Sequence, residues 1–359
     1  MITIKDIAKI ANVSPGTVDR VIHNRSGVSE KTKEKIQQIL KEHKFKINTV
    51  ARSLALRKKY TIAVLIPDFD EANLFWKSPF MGVSKAADEM LHLGMSIEVY
   101  KFNQLKGETF VTEYKKILET KPDAVIFSPY FIEETLKFTE KLDEINTPYI
   151  FINLDVDNLN NLCFIGQDAY QGGFTSAKLM HISTGGKTEY LISLIASKLY
   201  SNTLIENRIR GFKDYFLLKN IDANYTTFYL EDLDDEGVVS LKLNEILNEN
   251  PEINGIWVPS SRISIISNSL PSNKLNNLSL IGFDTTIQNV ECLKDDKVTF
   301  LISQKSFNQG YRAIKTMADY LIQNKNPSKK IYSPIEIITK ENAEYSQQNK
   351  WEYKKENNY

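Results

Sequence analysis

The sequence predicts an α/β protein: a three-helix head, then a two-lobed body of doubly wound parallel sheets. Three observations predict it. From Tyr60 on, apolar runs of about six residues alternate with amphipathic stretches long enough for helices, the rhythm of strand–helix–strand winding. Before Tyr60 that rhythm is missing, and three short helical patterns with clear capping residues take its place. Charge divides at the same point. Residues 1–60 hold fourteen Lys and Arg against five Asp and Glu, a net +9, while the remainder of the 359 residues holds 31 against 40, a net −9.

Composition bounds the function. A hydrophobic fraction of 42% supports a substantial core. No run of 18 apolar residues exists, so no membrane span is expected. The opening "MITIKDIAKIANVS" lacks the charged and then apolar regions of a secretory signal. The two cysteines, Cys163 and Cys292, stand far apart with no ligand-spaced neighbours. That pattern fits a reducing cytoplasm and neither a disulfide framework nor a zinc site. The chain has no G-x-S-x-G, Walker A or H-E-x-x-H pattern, and "YQGG" and "STGG" are not dinucleotide fingerprints. His23, His43, His92 and His181 are the only histidines, and none falls at a cleft position in the body. No enzymatic activity, catalytic residue, metal or cofactor is expected.

In the head, Thr3 reads as an N-cap with Asp6 three residues on. Ile7, Ala8, Ile10 and Ala11 give the first helix its apolar face, and Asn12 ends it. Ser14 caps a second helix that begins with Pro15 and runs to about His23. Val18, Val21 and Ile22 face inward; Gly16, Thr17, Arg20 and His23 face out. Gly27 marks a turn, and Ser29 caps a third helix from Glu30 to about His43, with Ile36, Ile39 and Leu40 apolar. Two helices joined by so tight a turn, the second short and basic, make a helix-turn-helix of a size for the DNA major groove. The excess positive charge is the electrostatic footprint of a polyanion partner.

The stretches "TIKDIAKIANVSPGTVDRVIHN", "VSEKTKEKI" and "NTVARSLALRKK" resemble the DNA-binding head of the LacI/GalR family of bacterial transcription regulators. The resemblance implies base-edge contacts for Pro15, Gly16 and Arg20, with Arg20 best suited to a bidentate guanine contact. It implies phosphate contacts near Thr3, Ser14, Thr17, His23 and Asn24. Asn48, Arg52 and Leu54 fall on the family's hinge helix, where Leu54 holds the position of the leucine that wedges into the minor groove. Its competing role is to pack the hinge against the body. Two residues depart from the family. Gly16 leaves one base-reading position blank, and Asp19 stands where Ser is usual. The operator sequence is therefore not transferable.

Expected domain limits are 1–47 for the head, 48–60 for the hinge, 61–340 for the body and 341–359 for a polar tail. Within the body, lobe one is expected at about 61–157 and 304–324, lobe two at about 158–303 and 325–340. Two wound lobes resemble a type I periplasmic-binding-protein body, the usual partner of this head. Ligands of open α/β sheets bind at the carboxyl ends of strands, and in two lobes those ends face one cleft. Phe75 and Trp76 follow the first strand and resemble an aromatic pair that sandwiches a sugar ring. Ser128, Asn153 and Asp168 follow later strands; Arg208 matches the family's sugar-gripping arginine. Ser260, Arg262, Asp284 and Gln304 complete the set, all groups that hydrogen-bond a polyol. Competing roles stand beside these: Phe75 and Trp76 as core, Arg208 capping a helix or paired with Glu206, Asp284 capping the next helix. Arg262 and Lys305 would equally suit an acidic or phosphorylated sugar.

The expected function is a cytoplasmic, homodimeric regulator of carbohydrate-use genes, reading double-stranded operator DNA under control of a small carbohydrate bound between the lobes. Alternatives within the class are a purine, sugar-phosphate or protein effector. An exported sugar-binding protein is the weaker alternative outside it, because it would need an export signal and no head.

Overall fold

A computed structural model describes residues 3–22, 26–43, 59–70, 74–195, 203–230 and 236–348. The chain divides into two compact units, 1–57 and 58–359.

The first unit holds α1 (Ile4–Ala11), α2 (Pro15–Ile22) and α3 (Glu30–Glu42). Each start is capped as its sequence dictates. The Thr3 hydroxyl accepts from the Asp6 N–H, and the Asp6 carboxylate accepts from both the N–H and the hydroxyl of Thr3. These bonds hold the Asp6 carboxyl below the usual carboxylate range. Ser14 accepts from the Thr17 N–H at 3.1 Å, and Ser29 from the Thr32 N–H at 3.4 Å. Asn12 ends α1 in the left-handed region, φ 54°, which Asn tolerates. Ile7, Ala8, Ala11, Val18, Val21, Ile36 and Ile39 close one small core. Lys35 reaches back to the carbonyl of Ala11, 3.0 Å, at the end of α1.

The body has two six-stranded sheets. Sheet one runs β11 (Lys330–Ser333), β5 (Cys163–Gln167), β4 (Tyr149–Ile152), β3 (Ala124–Phe127), β1 (Tyr60–Pro67), β2 (Met95–Phe102), all parallel. Sheet two runs β12 (Glu336–Ile338), β10 (Phe300–Ser303), β9 (Ser279–Phe283), β8 (Gly255–Trp257), β6 (Glu189–Ile195), β7 (Asn224–Leu230). Only β12 runs antiparallel there. Lobe one carries α4 (Lys77–Met90), α5 (Gly107–Thr120), α6 (Ile132–Glu144) and α13 (Ser306–Gln323). Lobe two carries α7 (Ala169–Ser183), α8 (Thr203–Leu218), α9 (Glu236–Glu249), α10 (Ile263–Ser269), α11 (Ser272–Leu275), α12 (Ile287–Lys294) and α14 (Ala343–Gln348).

The lobe limits differ from the sequence expectation in three places. β5 belongs to lobe one, because its backbone pairs with β4 in register Ile150 to Cys163. The chain first crosses between Gln167 and Asp168, about ten residues later than expected. It returns after β10 and crosses a third time at Pro334. What reads as one last strand, "SPIEIITKEN", is the end of β11, a break at Pro334 and then β12. Pro334 has no N–H to give a ladder, so the strand can change sheets there. Finally, the expected tail begins with α14, and its Ala343 is packed in the lobe-two core.

Each crossing helix docks, through paired glycines, on the helix that follows the first strand of its lobe. A Cβ on Gly310 would lie 2.1 Å from the Pro79 carbonyl oxygen, and one on Gly82 2.0 Å from that of Phe307, so α13 and α4 touch backbone to backbone. In lobe two, Gly173 meets the Arg208 carbonyl oxygen at 1.9 Å and Gly211 that of Tyr170 at 2.0 Å on the same construction, joining α7 to α8. These contacts fix where Arg208 starts.

Candidate functional site

Pro15, Gly16 and Arg20 are exposed on α2, and Thr17 and Asp19 half-buried. Val18 and Val21 anchor the opposite face in the head core. The helix thus presents the residues expected to reach base edges. Thr3 and Ser14 are exposed at helix starts, though their hydroxyls already serve as caps. His23, Asn24, Asn48, Arg52 and Leu54, and most of the expected hinge segment, lie outside the described residues.

In the body, the carboxyl ends of the central strands gather a buried polar cluster. Asn153 follows β4 with φ 67°, and Asp284 follows β9 with φ 68°. The two positions are counterparts. The Asn153 N–H reaches Ile165 O at 3.0 Å, and the Asp284 N–H reaches Ile302 O at 2.9 Å, each bridging to the next strand. The left-handed turn aims both side chains off the sheet, and Asn and Asp accept that conformation best among non-glycine residues. Gln304, at the second crossing, joins them. Asn153 Nδ2 donates to Gln304 Oε1 at 3.2 Å, and Gln304 Nε2 donates to the Asp284 carboxylate at 3.0 and 3.2 Å. Gln309 Nε2 holds Gln304 from behind, at 3.0 Å to its carbonyl and 3.3 Å to Oε1.

Arg208 enters from α8 and is only 2% exposed. Its Nη1 donates to Pro259 O at 2.7 Å, and its guanidinium lies 3.6 Å from the Phe283 ring centroid. Nε and Nη2 have no hydrogen-bond partner among the described residues. Burial pulls the guanidinium down to about 10, with the Asp284 charge opposing, so it stays cationic at neutral pH. Leaving two donor nitrogens of a buried cation, with three N–H between them, open is costly unless a ligand takes them.

The structure decides the competing roles. Glu206 is exposed while Arg208 is buried, and the charge acting on Arg208 is Asp284. Thr286, not Asp284, caps α12 by accepting from the Asn289 N–H. Phe75 and Trp76 take the core role. Trp76 is 1% exposed and Phe75 8%, edge-on to each other at 5.2 Å within the lobe-one core beside Ile62, Val64 and Val83. Neither offers an open face to stack on a ring; the expected aromatic sandwich is corrected to core packing, driven by the apolar area both rings bury there. Ser128 follows β3 and is fully buried, and neither its hydroxyl nor that of Ser260 has a partner among the described residues. Asp168 is half-buried and caps α7 through the Gln171 N–H, 3.0 Å. Arg262 is half-buried at the start of α10. Lys305 is neutralised by Glu336 at 2.8 Å.

Three contributors were not legible. Phe283 carries the guanidinium. Gln309 sets Gln304. Asn289, fully buried, donates to Ser261 O, Phe283 O and Asp284 O, and accepts from the Ser264 N–H, shaping the loops that present Ser260 and Asp284. A lone Asn or Gln inside a helix turn leaves no periodic mark in a sequence.

The family description "Bacterial regulatory proteins, lacI family" matches residues 3–48, and "Periplasmic binding protein domain" matches residues 62–325. The chain belongs to the LacI family of bacterial regulatory proteins. It is 25% identical over 349 residues to the ribose operon repressor of Lactococcus lactis, covering 95% of this chain and 98% of that one. It is 24% identical over 340 residues to the transcriptional regulator MalR of Streptococcus pneumoniae, covering 93% and 97%. The solved structure of a candidate LacI transcriptional regulator from Bacteroides fragilis is 30% identical and superimposes with a TM-score of 0.73, over 80% of this chain and 99% of that one. This LacI-family chain is a DNA-binding transcription regulator, and the relatives it matches are regulators rather than enzymes. No described helix is long and apolar enough to cross a membrane.

Proposed function

We propose that this regulator is a cytoplasmic homodimer that represses carbohydrate-use genes and is released or tightened by a neutral sugar bound at the Arg208–Asp284–Asn153 cluster. The observation that carries the reading is the open Nε and Nη2 of a buried Arg208 beside Asp284. A vicinal diol satisfies both: its oxygens accept from the guanidinium fork, and its hydroxyls donate to the carboxylate. Relatives named as repressors of ribose and sucrose operons support the same chemistry. The body binds its ligand without transforming it.

On DNA, two heads would dock on half-sites of a pseudo-palindrome. Arg20 reads a guanine, Thr3, Ser14, Thr17, His23 and Asn24 position the backbone, and Leu54 wedges the minor groove with Asn48 and Arg52 on the same hinge. Sugar binding biases the lobe arrangement, which alters the hinge pair and so the affinity for operator. The coupling is reciprocal, so operator changes sugar affinity by the same factor.

A thermal-shift screen with D-ribose, sucrose, maltose, a sugar acid, a sugar phosphate and a purine tests the effector. A neutral sugar raises the unfolding midpoint by mass action if the reading holds. A shift given only by a purine or a phosphate would retain the regulator and overturn the effector. Arg20→Ala tests the head: it should weaken specific operator binding by about 1–3 kcal/mol and leave non-specific binding nearly unchanged.

A further inference from the structure

Three single strands of backbone join the lobes: one after β5, one after β10 and one between β11 and β12. Each is free to turn about its own φ and ψ. Three independent pivots would let the lobes shear and twist, whereas three tied pivots define one axis.

One side chain ties them. Gln167 is the last residue of β5, at the first crossing, and is 2% exposed. Its Nε2 donates to Ser303 O of the second crossing at 3.2 Å and to Pro334 O of the third at 3.4 Å. A carboxamide nitrogen has two hydrogens, and each goes to a different crossing. Burial keeps water from replacing the bond to Ser303, while the bond to Pro334 is part-buried. Both bonds are longer than the usual 2.9–3.0 Å for N–H···O, so they hold without locking. Gly172, in the first turn of α7, leaves the room: a Cβ there would sit 3.0 Å from Gln167 Oε1. Oε1 itself has no partner among the described residues, nor does the hydroxyl of Ser333, its register neighbour across β11 and β5. The joint therefore holds unused hydrogen-bonding capacity in the arrangement seen here, which a second arrangement of the lobes can use.

We infer that Gln167 is the positioning residue of the inter-lobe joint, binding the three crossings into a single axis about which the lobes open and close. Its effect on operator control rests on the effector reading of the cleft. The joint itself does not, and it is tested on ligand-free protein so that either can fail alone.

The test is a distance distribution between spin labels on Glu133→Cys and Leu217→Cys. Both sites are exposed, at the first turn of α6 and the last turn of α8, on opposite lobes and away from Asn289. The native Cys163 and Cys292 are buried and stay unlabelled. Gln167→Met keeps the length of the side chain and removes both donors. Asn289→Leu is the matched control, since it removes donor bonds to three carbonyls, two of them buried, that all lie within lobe two. Unfolding midpoints are measured beside the distances. Gln167→Met should widen the distribution and lengthen its mean, while Asn289→Leu lowers the midpoint at least as much and leaves the distances as in wild type. An unchanged distribution in Gln167→Met overturns the proposal. So does equal widening in both variants, which would mean lost stability rather than a lost joint. If Asn289→Leu does not fold, Asn289→Ser takes its place with the same expectation.

Discussion

The two lobes follow one plan and divide the chemistry unequally. Each has a crossing helix locked by glycines onto the helix after its first strand, and each follows a central strand with a left-handed Asn or Asp. Lobe one then offers neutral groups to the cleft, Ser128 and Asn153. Lobe two offers charge, Arg208 and Asp284. A neutral half and a charged half can close on a ligand without bringing like charges together. Both charged groups belong to one lobe, with the Arg208 guanidinium over Phe283. On the function proposed above, a sugar is gripped by lobe two and enclosed by lobe one.

The largest effect should come from the shared part of the plan. Gly310→Val in lobe one and Gly211→Val in lobe two each place a side chain about 2 Å from a carbonyl oxygen. Each should cost upwards of about 3 kcal/mol, read by circular dichroism melts. Gly16→Ala in the head meets nothing nearer than 3.7 Å and should leave the melt of the body unchanged. A mild loss in one lobe against a severe one in the other would break the symmetry argued here.

Arg208→Met probes the charged half. It should abolish the sugar-induced thermal shift, a loss of about 2–5 kcal/mol in binding, while the ligand-free midpoint moves far less. A retained sugar response would remove Arg208 from the site. Exchanging the counterparts sharpens the contrast. Asp284→Asn keeps an acceptor for Gln304 and should weaken sugar binding by roughly tenfold, about 1.4 kcal/mol. Asn153→Asp should cost about 1–3 kcal/mol of stability at neutral pH, because the new carboxylate faces the Gln304 Oε1 it can no longer donate to. The sign with pH is definite. The folded state raises that carboxyl's pKa, so the loss shrinks as pH falls and the protonated acid donates again. The smallest effect on function should come from Phe75→Leu. It lowers the midpoint by the loss of a core ring and leaves sugar affinity within about twofold, or about 0.4 kcal/mol. A large loss of affinity would restore the ring to the cleft.

Much of this was legible from sequence where local chemistry decides. Thr3, Ser14 and Ser29 cap because their hydroxyls sit where orphan N–H groups need acceptors, and Asn12 ends its helix for the same local reason. Asp284, Asn153 and Gln304 were singled out because they follow strand ends, and Arg208 because it matches an arginine of the family; the structure gathers all four at one end of the sheets. What failed were decisions made by partners distant in sequence. β5 joins lobe one through β4, and β11 joins it through β5; no residue within either strand announces which sheet it will choose. Phe75 and Trp76 follow a strand end just as cleft residues do, and only packing against α4 and β1 shows that their faces are taken. Gln167 and Asn289 act through backbone carbonyls, which every residue possesses, so nothing in the sequence of the accepting segments marks them.

The ring beneath Arg208 has an optical consequence. Trp257 is fully buried, stacked on Phe212 at 4.2 Å and within 6.4 Å of Phe283. An indole shielded from water emits at the blue end of its range, and this one is a single ring removed from the guanidinium. Residues 1–60 contain no tryptophan, so a change in emission on adding a sugar has its origin outside the head. The lobe-two core therefore carries a fluorophore next to the ring under Arg208, and on the proposed function a sugar's arrival should be readable in its emission, with or without DNA, on the unlabelled protein.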